Sequence, residues 1–412
     1  MKKFLLFGNH SCANRGDAAI SRGLIEHLEM LYPGAQLDFF TRYPGAGNYI
    51  LGRACSLDVL GISKSSGGVL GALKKLLSKR VRPLYFYLRA RYGLRIFDRF
   101  LASDVRNFII KLREADVYLH VGGSFFVDVY GVTQFEGPLL ALSEKKPVLL
   151  IGHSVGPFTG WAYNRIAKYV FETCTALLVR EQESVALMNA EGISIRKVIS
   201  SADTAWLVNR ANSPMPEHLR PFVEKPTVAI TVRDLAPFDR RLNFSQEQYE
   251  NALLQIIEDL IAQGFRVVFA STCTGLDSYG KDDRIVALRI RNRVVDKRMV
   301  CVVMDELTDN QLADLYGHCR LVLATRLHSA ILAMRSGTPA IAIYYEHKSQ
   351  GILFQMGLHD ESITLQELPN SSDKIISAAK NSQALKERLR LSVEKERALA
   401  CETISKALSS VA

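Results

Sequence analysis

Short apolar runs of strand length recur along this chain, with longer amphipathic segments between many of them. The intervening segments carry apolar residues at helical spacing, as in AISRGLIEHLEMLY and EQYENALLQIIEDLIAQG. Buried strands that alternate with helices imply parallel sheets covered by helices on both faces, so the pattern predicts an α/β fold. The runs predict these strands: Phe4–Phe7, Leu37–Phe40, Val117–Val121, Val148–Ile151, Leu177–Val179, Val198–Ser200, Val228–Val232, Val267–Ala270, Val300–Val303, Leu321–Ala324 and Ala340–Ile343.

The alternation is interrupted once, at VNRANSPMPEHLRPFVEKP. We predict that this proline-rich segment, residues 208–226, links an N-terminal α/β domain, residues 1–207, to a second α/β domain, residues 227–371. Residues 372–412 are predicted to form a charged amphipathic helix or a pair of helices. Ligands of open parallel sheets bind beyond the carboxyl ends of the strands, so two such domains should face each other across a cleft.

The composition limits the class of protein. With 412 residues, 48% of them hydrophobic, the chain can bury a large core, and no apolar run is long enough for a transmembrane helix. The opening MKKFLLFGNH is too short in apolar residues for a signal peptide and is interpreted as a strand. Seven scattered cysteines without a C-x-x-C pair argue against disulfides or zinc. We expect a reduced, cytoplasmic protein without a metal site, in which Asp282 and Asp283 begin a helix.

The formal charge of +10 calls for an anionic partner. Much of the excess lies between Lys74 and Arg99, where nine basic residues and one acid are interleaved with tyrosine and phenylalanine. Two interpretations stay open: a surface for a membrane interface, or a solvated helical face whose aromatic residues cover the core. We find no nucleic-acid-binding module and expect no nucleic-acid partner.

The first predicted strand leads into GNHSCANRGDAAISRG, which contains Asn14, Arg15 and Asp17. Asp17 stands at a good N-cap position for the following helix. The segment is either a simple turn and cap or a helix N-terminus that faces the cleft and receives an anion or sugar hydroxyls. Its spacing is not that of a dinucleotide fingerprint.

Two further strands of the N-terminal domain are followed by small polar residues. The motif G-H-S-V-G around Ser154 matches a nucleophile elbow, but Pro157 follows it and no Ser-Asp-His order is evident, so a hydrolase is not favoured. Paired glycines let backbone amides approach a ligand closely. The candidate ligand-binding residues here are Gly122, Gly123, Ser124, His153 and Ser154.

Cationic side chains also follow predicted strands. Arg180, Arg233 and Arg326 each stand at a strand end, His328 follows where a helix begins, and Lys348 follows the strand AIAI. Arginine forks bind carboxylate and phosphate, so the set suggests a small substrate that bears both groups. A histidine at such a place is either a structural helix-start residue or a general acid or phosphate ligand.

Together these motifs resemble the polysaccharide pyruvyl transferase family, and especially its colanic acid and amylovoran branch. The resemblance covers nearly the whole chain. It rests on GNHSCANRGDAAI, VGGSFFVDVYG, IGHSVGPF, R-E-x-x-S from Arg180, D-T-A-W from Asp203, LAPFD, STCTGLDSYGKDDR, TRLHSAI and YEHKS.

The resemblance implies a GT-B-like fold of two Rossmann-like domains facing across a cleft, and transfer of a pyruvyl group from phosphoenolpyruvate onto two sugar hydroxyls as a cyclic ketal, without a cofactor. Arg326, Leu327 and His328 match the family's R-x-H motif for donor binding and catalysis, and Lys348 matches a further functional lysine. The second donor-binding arginine is Arg233 or Arg180, of which Arg233 is favoured.

The roles assigned within this resemblance are hypotheses. His328 is a general acid or phosphate ligand, and Asp17 an acceptor-side base or hydroxyl ligand. Asn14, Arg15 and the five small or polar residues after the later strands are placed on the acceptor side. The expected acceptor is a galactose-containing, lipid-linked oligosaccharide, with residues 74–99 holding the protein at the cytoplasmic face of the inner membrane.

Two other functions stay open. The first is a nucleotide-sugar-dependent glycosyltransferase on the same fold. The second is a catalytically idle scaffold for polysaccharide assembly at the membrane, which the full set of cations disfavours.

Overall fold

The computed structural model describes residues 1–61, 69–209, 213–236, 243–344, 347–355 and 358–411; side chains of residues 69–80 and 347–350 are left out. In these ranges the strands form an eight-stranded and a six-stranded sheet, parallel throughout. The strands are β1 (Lys3–Asn9), β2 (Gln36–Thr41), β3 (Ser56–Leu57), β4 (Val117–His120), β5 (Gly123–Phe126), β6 (Val148–Val155), β7 (Ala176–Val179), β8 (Val198–Ser200), β9 (Thr227–Thr231), β10 (Arg266–Phe269), β11 (Val300–Val302), β12 (Leu321–Ala324), β13 (Ala340–Tyr344) and β14 (Ser362–Thr364). The first sheet has the order β3-β2-β1-β4-β6-β7-β8 with β5 beside β6, and the second sheet has the order β11-β10-β9-β12-β13-β14.

Helices connect most of the strands, as the parallel arrangement requires. They are α1 (Arg15–Leu31), α2 (Pro44–Leu51), α3 (Val69–Tyr92), α4 (Ser103–Glu114), α5 (Glu136–Ser143), α6 (Trp161–Thr173), α7 (Gln182–Ala190), α8 (Arg220–Val223), α9 (Gln246–Ala262), α10 (Asp283–Arg293), α11 (Asp309–Gly317), α12 (Leu327–Arg335), α13 (His347–Gln355), α14 (Ser372–Lys380) and α15 (Ser382–Ser409). The predicted fold class, two Rossmann-like α/β halves of GT-B type, is confirmed.

Side chains that point alternately to the two faces of the sheet form two apolar cores. In β1, Phe4 and Leu6 enter a core that continues through the second sheet, whereas Leu5 and Phe7 enter a core on the opposite face. Successive strand residues point to opposite faces, so a run that is apolar throughout fits a sheet buried on both sides. The two halves of the molecule therefore share one continuous apolar core.

All eleven predicted strands are present. Most end within two residues of the predicted position, and β6 extends to Val155 instead of Ile151. Three short strands, β3, β5 and β14, were not predicted. The residues of β5 include Gly123 and Ser124, which the sequence predicted only to follow the strand Val117–Val121. Short edge strands leave too little periodic signal for a sequence pattern to detect.

The helix starts differ from prediction at one place. The N-cap of α1 is Asn14, whose side chain accepts a hydrogen bond from the backbone N–H of Gly16 at 3.1 Å, and Asp17 lies in the first turn. The prediction that Asp17 is the cap is therefore wrong. The interpretation of Asp282 and Asp283 as helix-start acids is confirmed, since Asp282 caps α10 and Asp283 is its first residue.

The C-terminal segment forms a pair of helices that returns to the first half of the molecule. Thr403 Oγ1 lies 2.6 Å from Ser201 Oγ, and His27 Nε2 lies 3.0 Å from Ser405 Oγ. The long helix α15 thus stabilises the arrangement of the two halves.

The basic segment is built into α3 and the turn after it. Arg82 pairs with the buried Glu136, and the buried Arg89 pairs with Asp98 and Glu144, so part of its positive charge is neutralised internally. Phe86 and Tyr87 are buried, as expected for a helix whose aromatic residues cover the core. No helix in the described part of the chain has the length and hydrophobicity to cross a membrane.

Candidate active site

The starts of α1 and α12 face each other between the two halves of the molecule. Both helices follow central strands, β1 and β12, so both begin at the carboxyl edges of their sheets. Gly16 lies against the imidazole of His328 so closely that a Cβ at Gly16 would stand 2.6 Å from His328 Nδ1. Glycine is required at this position because a side chain would displace the imidazole.

His328 is held on its other ring nitrogen by Asp203. The distance between His328 Nε2 and Asp203 Oδ2 is 3.3 Å. Asp203 follows β8 and also accepts a hydrogen bond from the backbone N–H of Ala205 at 2.9 Å. Burial alone would raise the pKa of Asp203, but Arg180 and His328 overcome it and hold the pKa well below its usual range. The carboxylate therefore stays charged beside the imidazole.

Asp17 lies in the same space. Burial raises the pKa of its carboxyl group from 3.8 to about 6, although the neighbouring His328, Arg326 and Arg180 lower it. A carboxylate with a pKa near neutrality can accept a proton from a hydroxyl and release it again at ordinary pH. Asp17 thus has the electrostatic character of an acid–base group.

Arg326 is the N-cap residue of α12 and is anchored by Asp283. Arg326 Nε and Nη2 donate to the two carboxylate oxygens of Asp283 at 3.0 and 2.7 Å. The side chain of Arg326 is only 16% exposed, so the pair fixes the guanidinium at the carboxyl edge of the second sheet. Burial raises the pKa of the Cys273 thiol, and Arg326 and Arg233 are both near enough to oppose that rise with their positive charge.

The two alternative donor-binding arginines have different surroundings. Arg180 is buried and donates to Ser154 Oγ at 2.9 Å and Ser124 Oγ at 3.0 Å, besides its pairing with Asp203. Arg233 is half-buried two residues after β9, and its Nε donates to the carbonyl of Asp234 at 3.1 Å. Lys348 belongs to α13, but its side chain lies outside the described residues.

The predicted acceptor residues after β4 and in β6 are mostly buried. His153 and Ser154 have no exposed surface, and Ser154 Oγ donates to Glu181 at 2.9 Å. Gly122 packs against Gly152, whose carbonyl oxygen would stand 2.7 Å from an added Cβ. The half-buried Ser124 is the most accessible of the set. Acceptor binding by these residues stays a prediction. The contacts of His153 and Ser154 are with other buried residues, which they help to hold in place.

Two buried histidines underlie this edge. His120 Nδ1 lies 3.2 Å from His153 Nε2, and His153 Nδ1 lies 3.2 Å from the carbonyl of Gly123. Burial lowers the pKa of His153 to about 3 and that of His120 well below its usual value, so both rings are neutral at physiological pH. They orient the backbone of β5 beside the cleft.

Arg15 is placed differently from the prediction that it binds the acceptor. Its side chain is 1% exposed and reaches into the other half of the molecule, where it pairs with Glu306 at 2.9 Å. It also donates to the carbonyl of Leu307 at 2.6 Å and to Thr274 Oγ1 at 3.0 Å. Its position after the first strand suggested the cleft, but the helix start directs it into the interface. Arg15 therefore joins the two halves, and acceptor binding by it stays a prediction that its burial does not favour.

Three residues that lie at this site have no predicted role in the cleft. Asp203 was quoted only as part of D-T-A-W, although it follows a predicted strand and so met the criterion used for the arginines. Asp283 was interpreted as a helix start without its arginine partner. Tyr279 packs against His10 and Tyr43, with ring centroids 5.7 Å apart in both cases, and its electrostatic neighbours include Asp17 and Arg326.

The described residues show no cluster of three histidine, cysteine, aspartate or glutamate side chains suited to a metal ion. The charged and titratable groups that meet at the cleft are Arg180, Arg326, His328, Asp17, Asp203 and Asp283. Such a set suits an anionic substrate and proton transfer.

Comparison with solved structures gives the fold. The chain superimposes on Anabaena Alr3699/HepE in complex with UDP-glucose over the full length of both chains, with a TM-score of 0.62 at 14% sequence identity. It also matches the UDP-GlcNAc 2-epimerase of Neisseria meningitidis bound to UDP-GlcNAc over both full lengths, with a TM-score of 0.57 at 12% identity. At these identities the similarity concerns architecture alone.

Sequence comparison gives the family. The model of the family described as polysaccharide pyruvyl transferase matches residues 14–347. The amylovoran biosynthesis protein AmsJ of Erwinia amylovora is 40% identical over 418 aligned positions, which cover 99% of this chain and all of that protein. The matched range includes the facing helix starts with Asp17, Arg326 and His328. The chain therefore belongs to the polysaccharide pyruvyl transferase family.

Proposed function

We propose that this enzyme moves the pyruvyl group of phosphoenolpyruvate onto two hydroxyls of a sugar in an exopolysaccharide repeat unit. The single observation that carries the proposal is the meeting of His328, held by Asp203, with Asp17 and Arg326 between the two halves of the molecule. Phosphoenolpyruvate bears a carboxylate and a phosphate, and Arg326, Arg233 and Lys348 are the proposed cations for them.

The reaction consumes two hydroxyl protons. One proton is delivered to the methylene carbon of phosphoenolpyruvate, which becomes the methyl group, and the positive character that develops at C2 is attacked by the first sugar oxygen. The C2–O bond to phosphate then breaks, and the second sugar oxygen closes the ketal. The second proton leaves with phosphate. The step therefore needs a proton donor, a base and cations for the departing dianion.

The residues fit these needs in distinct ways. We assign His328 as the proton donor or phosphate ligand, with Asp203 as the positioning residue that fixes its ring. Asp17 serves as the acceptor-side base, because its pKa of about 6 suits proton transfer near neutrality. Arg233 is preferred to Arg180 for the donor, since Arg180 is buried among Asp203, Ser154 and Ser124.

The choice of acceptor is supported by the relative that is named for amylovoran biosynthesis. We propose a galactose-containing, lipid-linked oligosaccharide of the colanic acid or amylovoran type, met at the cytoplasmic face of the inner membrane.

The test is acceptor-dependent release of phosphate from phosphoenolpyruvate. Wild type and a His318→Ala control, which removes an exposed histidine at the end of α11, should release phosphate only with the sugar acceptor. His328→Ala should be slower by at least about 100-fold, the usual contribution of a positioned acid–base group. If no acceptor supports release and a nucleotide-sugar raises the melting temperature, the enzyme is a glycosyltransferase instead.

A further inference from the structure

The end of α3 and the elements on either side of it expose bulky apolar and cationic side chains. We call this surface the docking face. It is formed by the end of α3, the turn that follows it and the outer side of α6. Its members are Arg91, Tyr92, Leu94, Ile96, Phe97, Arg99, Phe100, Trp161, Arg165 and Lys168.

The apolar members are strongly exposed. The exposed fractions are 65% for Ile96, 54% for Phe97, 69% for Phe100 and 75% for Trp161. Scattered exposed apolar residues are ordinary, but three within five consecutive residues form a patch that costs free energy in water. Such a patch marks a binding surface.

The turn that carries this patch is held in place from inside. Its one acid, Asp98, accepts hydrogen bonds from Tyr85 Oη at 2.5 Å and Arg89 Nε at 3.0 Å. Arg95 Nη2 donates to the carbonyl of Ser143 at 2.9 Å. The carboxylate is thus neutralised beneath the surface, and the neighbouring Phe97 and Phe100 project outwards from an anchored turn.

Cations accompany the aromatic rings. The guanidinium of Arg99 lies 4.7 Å from the ring centre of Phe100, and that of Arg165 lies 5.2 Å from the ring centre of Trp161. Arg91 Nη1 and Arg165 Nε both donate to Tyr87 Oη, at 3.1 and 3.3 Å, so the end of α3 and the outer side of α6 are in contact. Arginine beside exposed aromatic rings is typical of surfaces that enter the polar–apolar boundary of a bilayer.

A depression within the docking face could receive anionic headgroups. Arg91, Arg165 and Lys168 line an open depression of about 590 Å³ together with Trp161. The acid at its rim, Glu191, accepts a hydrogen bond from Asn164 at 2.7 Å. Three cations around one depression supply the charge complementarity that an anionic lipid surface requires.

We infer that the docking face binds an anionic lipid bilayer peripherally, with Ile96, Phe97, Phe100 and Trp161 inserted at headgroup level. Because α6 begins shortly after β6, Trp161 lies toward the cleft side of the sheet. A lipid-linked acceptor leaving the bilayer there would reach the cleft; that link rests on the proposed function, whereas the binding does not.

The chain contains its own reporter. It has two tryptophans, of which Trp206 has no exposed surface and Trp161 is exposed. Mixing the protein with phosphatidylcholine vesicles, with and without phosphatidylglycerol, should give a blue shift of fluorescence and co-sedimentation only with the anionic lipid. A lipid quencher placed near the headgroups should quench the same emission.

Two variants test the chemistry of the face. Phe97→Ser/Phe100→Ser should weaken binding to the anionic vesicles by at least about tenfold, through lost insertion. Arg91→Glu/Arg99→Glu should weaken it by at least roughly 25-fold, about fivefold for each lost charge. The matched controls, Val295→Ser at an exposed apolar residue and Arg320→Glu at an exposed arginine of the other half, should bind as wild type does.

Several results would overturn the inference. They are absence of wild-type binding to phosphatidylglycerol vesicles, unchanged binding by both double variants, or self-association of the protein that the same substitutions abolish while vesicles have no effect. The last would assign the face to a second copy of the chain. All variants should release phosphate normally with a delipidated acceptor, so a failure of vesicle binding is distinguishable from a failure of the proposed reaction.

Discussion

Replacing Asp17 with asparagine should stabilise the protein while it abolishes activity. The pKa of this carboxyl group is raised from 3.8 to about 6, mainly by burial. A difference of about 2.2 units at about 1.36 kcal/mol per unit corresponds to roughly 3 kcal/mol of free energy. Asp17 is partly exposed in the cleft, and solvent there screens part of this cost. We therefore expect Asp17→Asn to raise the free energy of unfolding by about 2 kcal/mol at neutral pH.

The sign follows from proton linkage. A carboxyl group with a higher pKa in the folded state binds its proton more tightly there than in the unfolded chain. Between pH 3.8 and about 6 the unfolded state therefore loses the proton first, and the free energy of unfolding of the wild type falls as pH rises. Above about pH 6 Asp17 is ionised in both states, and the full destabilisation by its buried charge is present. Asparagine has no such titration, so the stability difference should vanish near pH 4 and be largest above pH 6.

The assay is urea unfolding at a series of pH values, followed by the fluorescence of the buried Trp206. The matched control is Asp373→Asn, which removes an exposed aspartate from the first turn of α14 and should cost a few tenths of a kcal/mol at neutral pH. A loss of stability in Asp17→Asn at pH 7.5 would show that pairing with the nearby cations outweighs burial. Retained phosphate release would refute the assignment of Asp17 as the base.

Two further substitutions test the support of the imidazole. Asp203→Asn should lower the free energy of unfolding by about 3 kcal/mol at pH 7, because it removes the nearer of the two carboxylates that pair with the buried Arg180. Phosphate release should fall with it. The exposed pair between Asp305 and His218 offers a control, since Asp305→Asn should change stability by less than about 0.5 kcal/mol. An Asp203→Asn variant with wild-type stability would contradict the pairing. Gly16→Ala should reduce turnover, because the added Cβ displaces the imidazole of His328. Gly317→Ala is the control and should leave turnover unchanged, since its added Cβ meets its nearest neighbour at 3.7 Å. Equal turnover in both variants would show that His328 tolerates the shift.

Sequence patterns predicted much of the fold because the signal for it is local. A buried strand such as Leu321–Ala324 is recognisable from its own residues, and the R-L-H that follows it must lie at a sheet edge. Short strands without such periodicity escaped detection, among them Gly123–Phe126. The cap of α1 was misplaced by three residues because Asn14 and Asp17 are both acceptable caps, and only the backbone conformation decides between them.

The chain itself determined which residue types stand at the strand ends: arginines, a histidine and a carboxylate. Only tertiary structure decided which of them meet. His328 is paired with Asp203, 125 residues earlier in the chain, and Arg15 is paired with Glu306, 291 residues later. Periodicity in a sequence is set by the repeat of a single strand or helix, whereas these pairs depend on how two sheets pack. For that reason Arg15, at the start of α1, pairs across the two halves, and Asp203 of the D-T-A-W motif is the partner of the His328 imidazole.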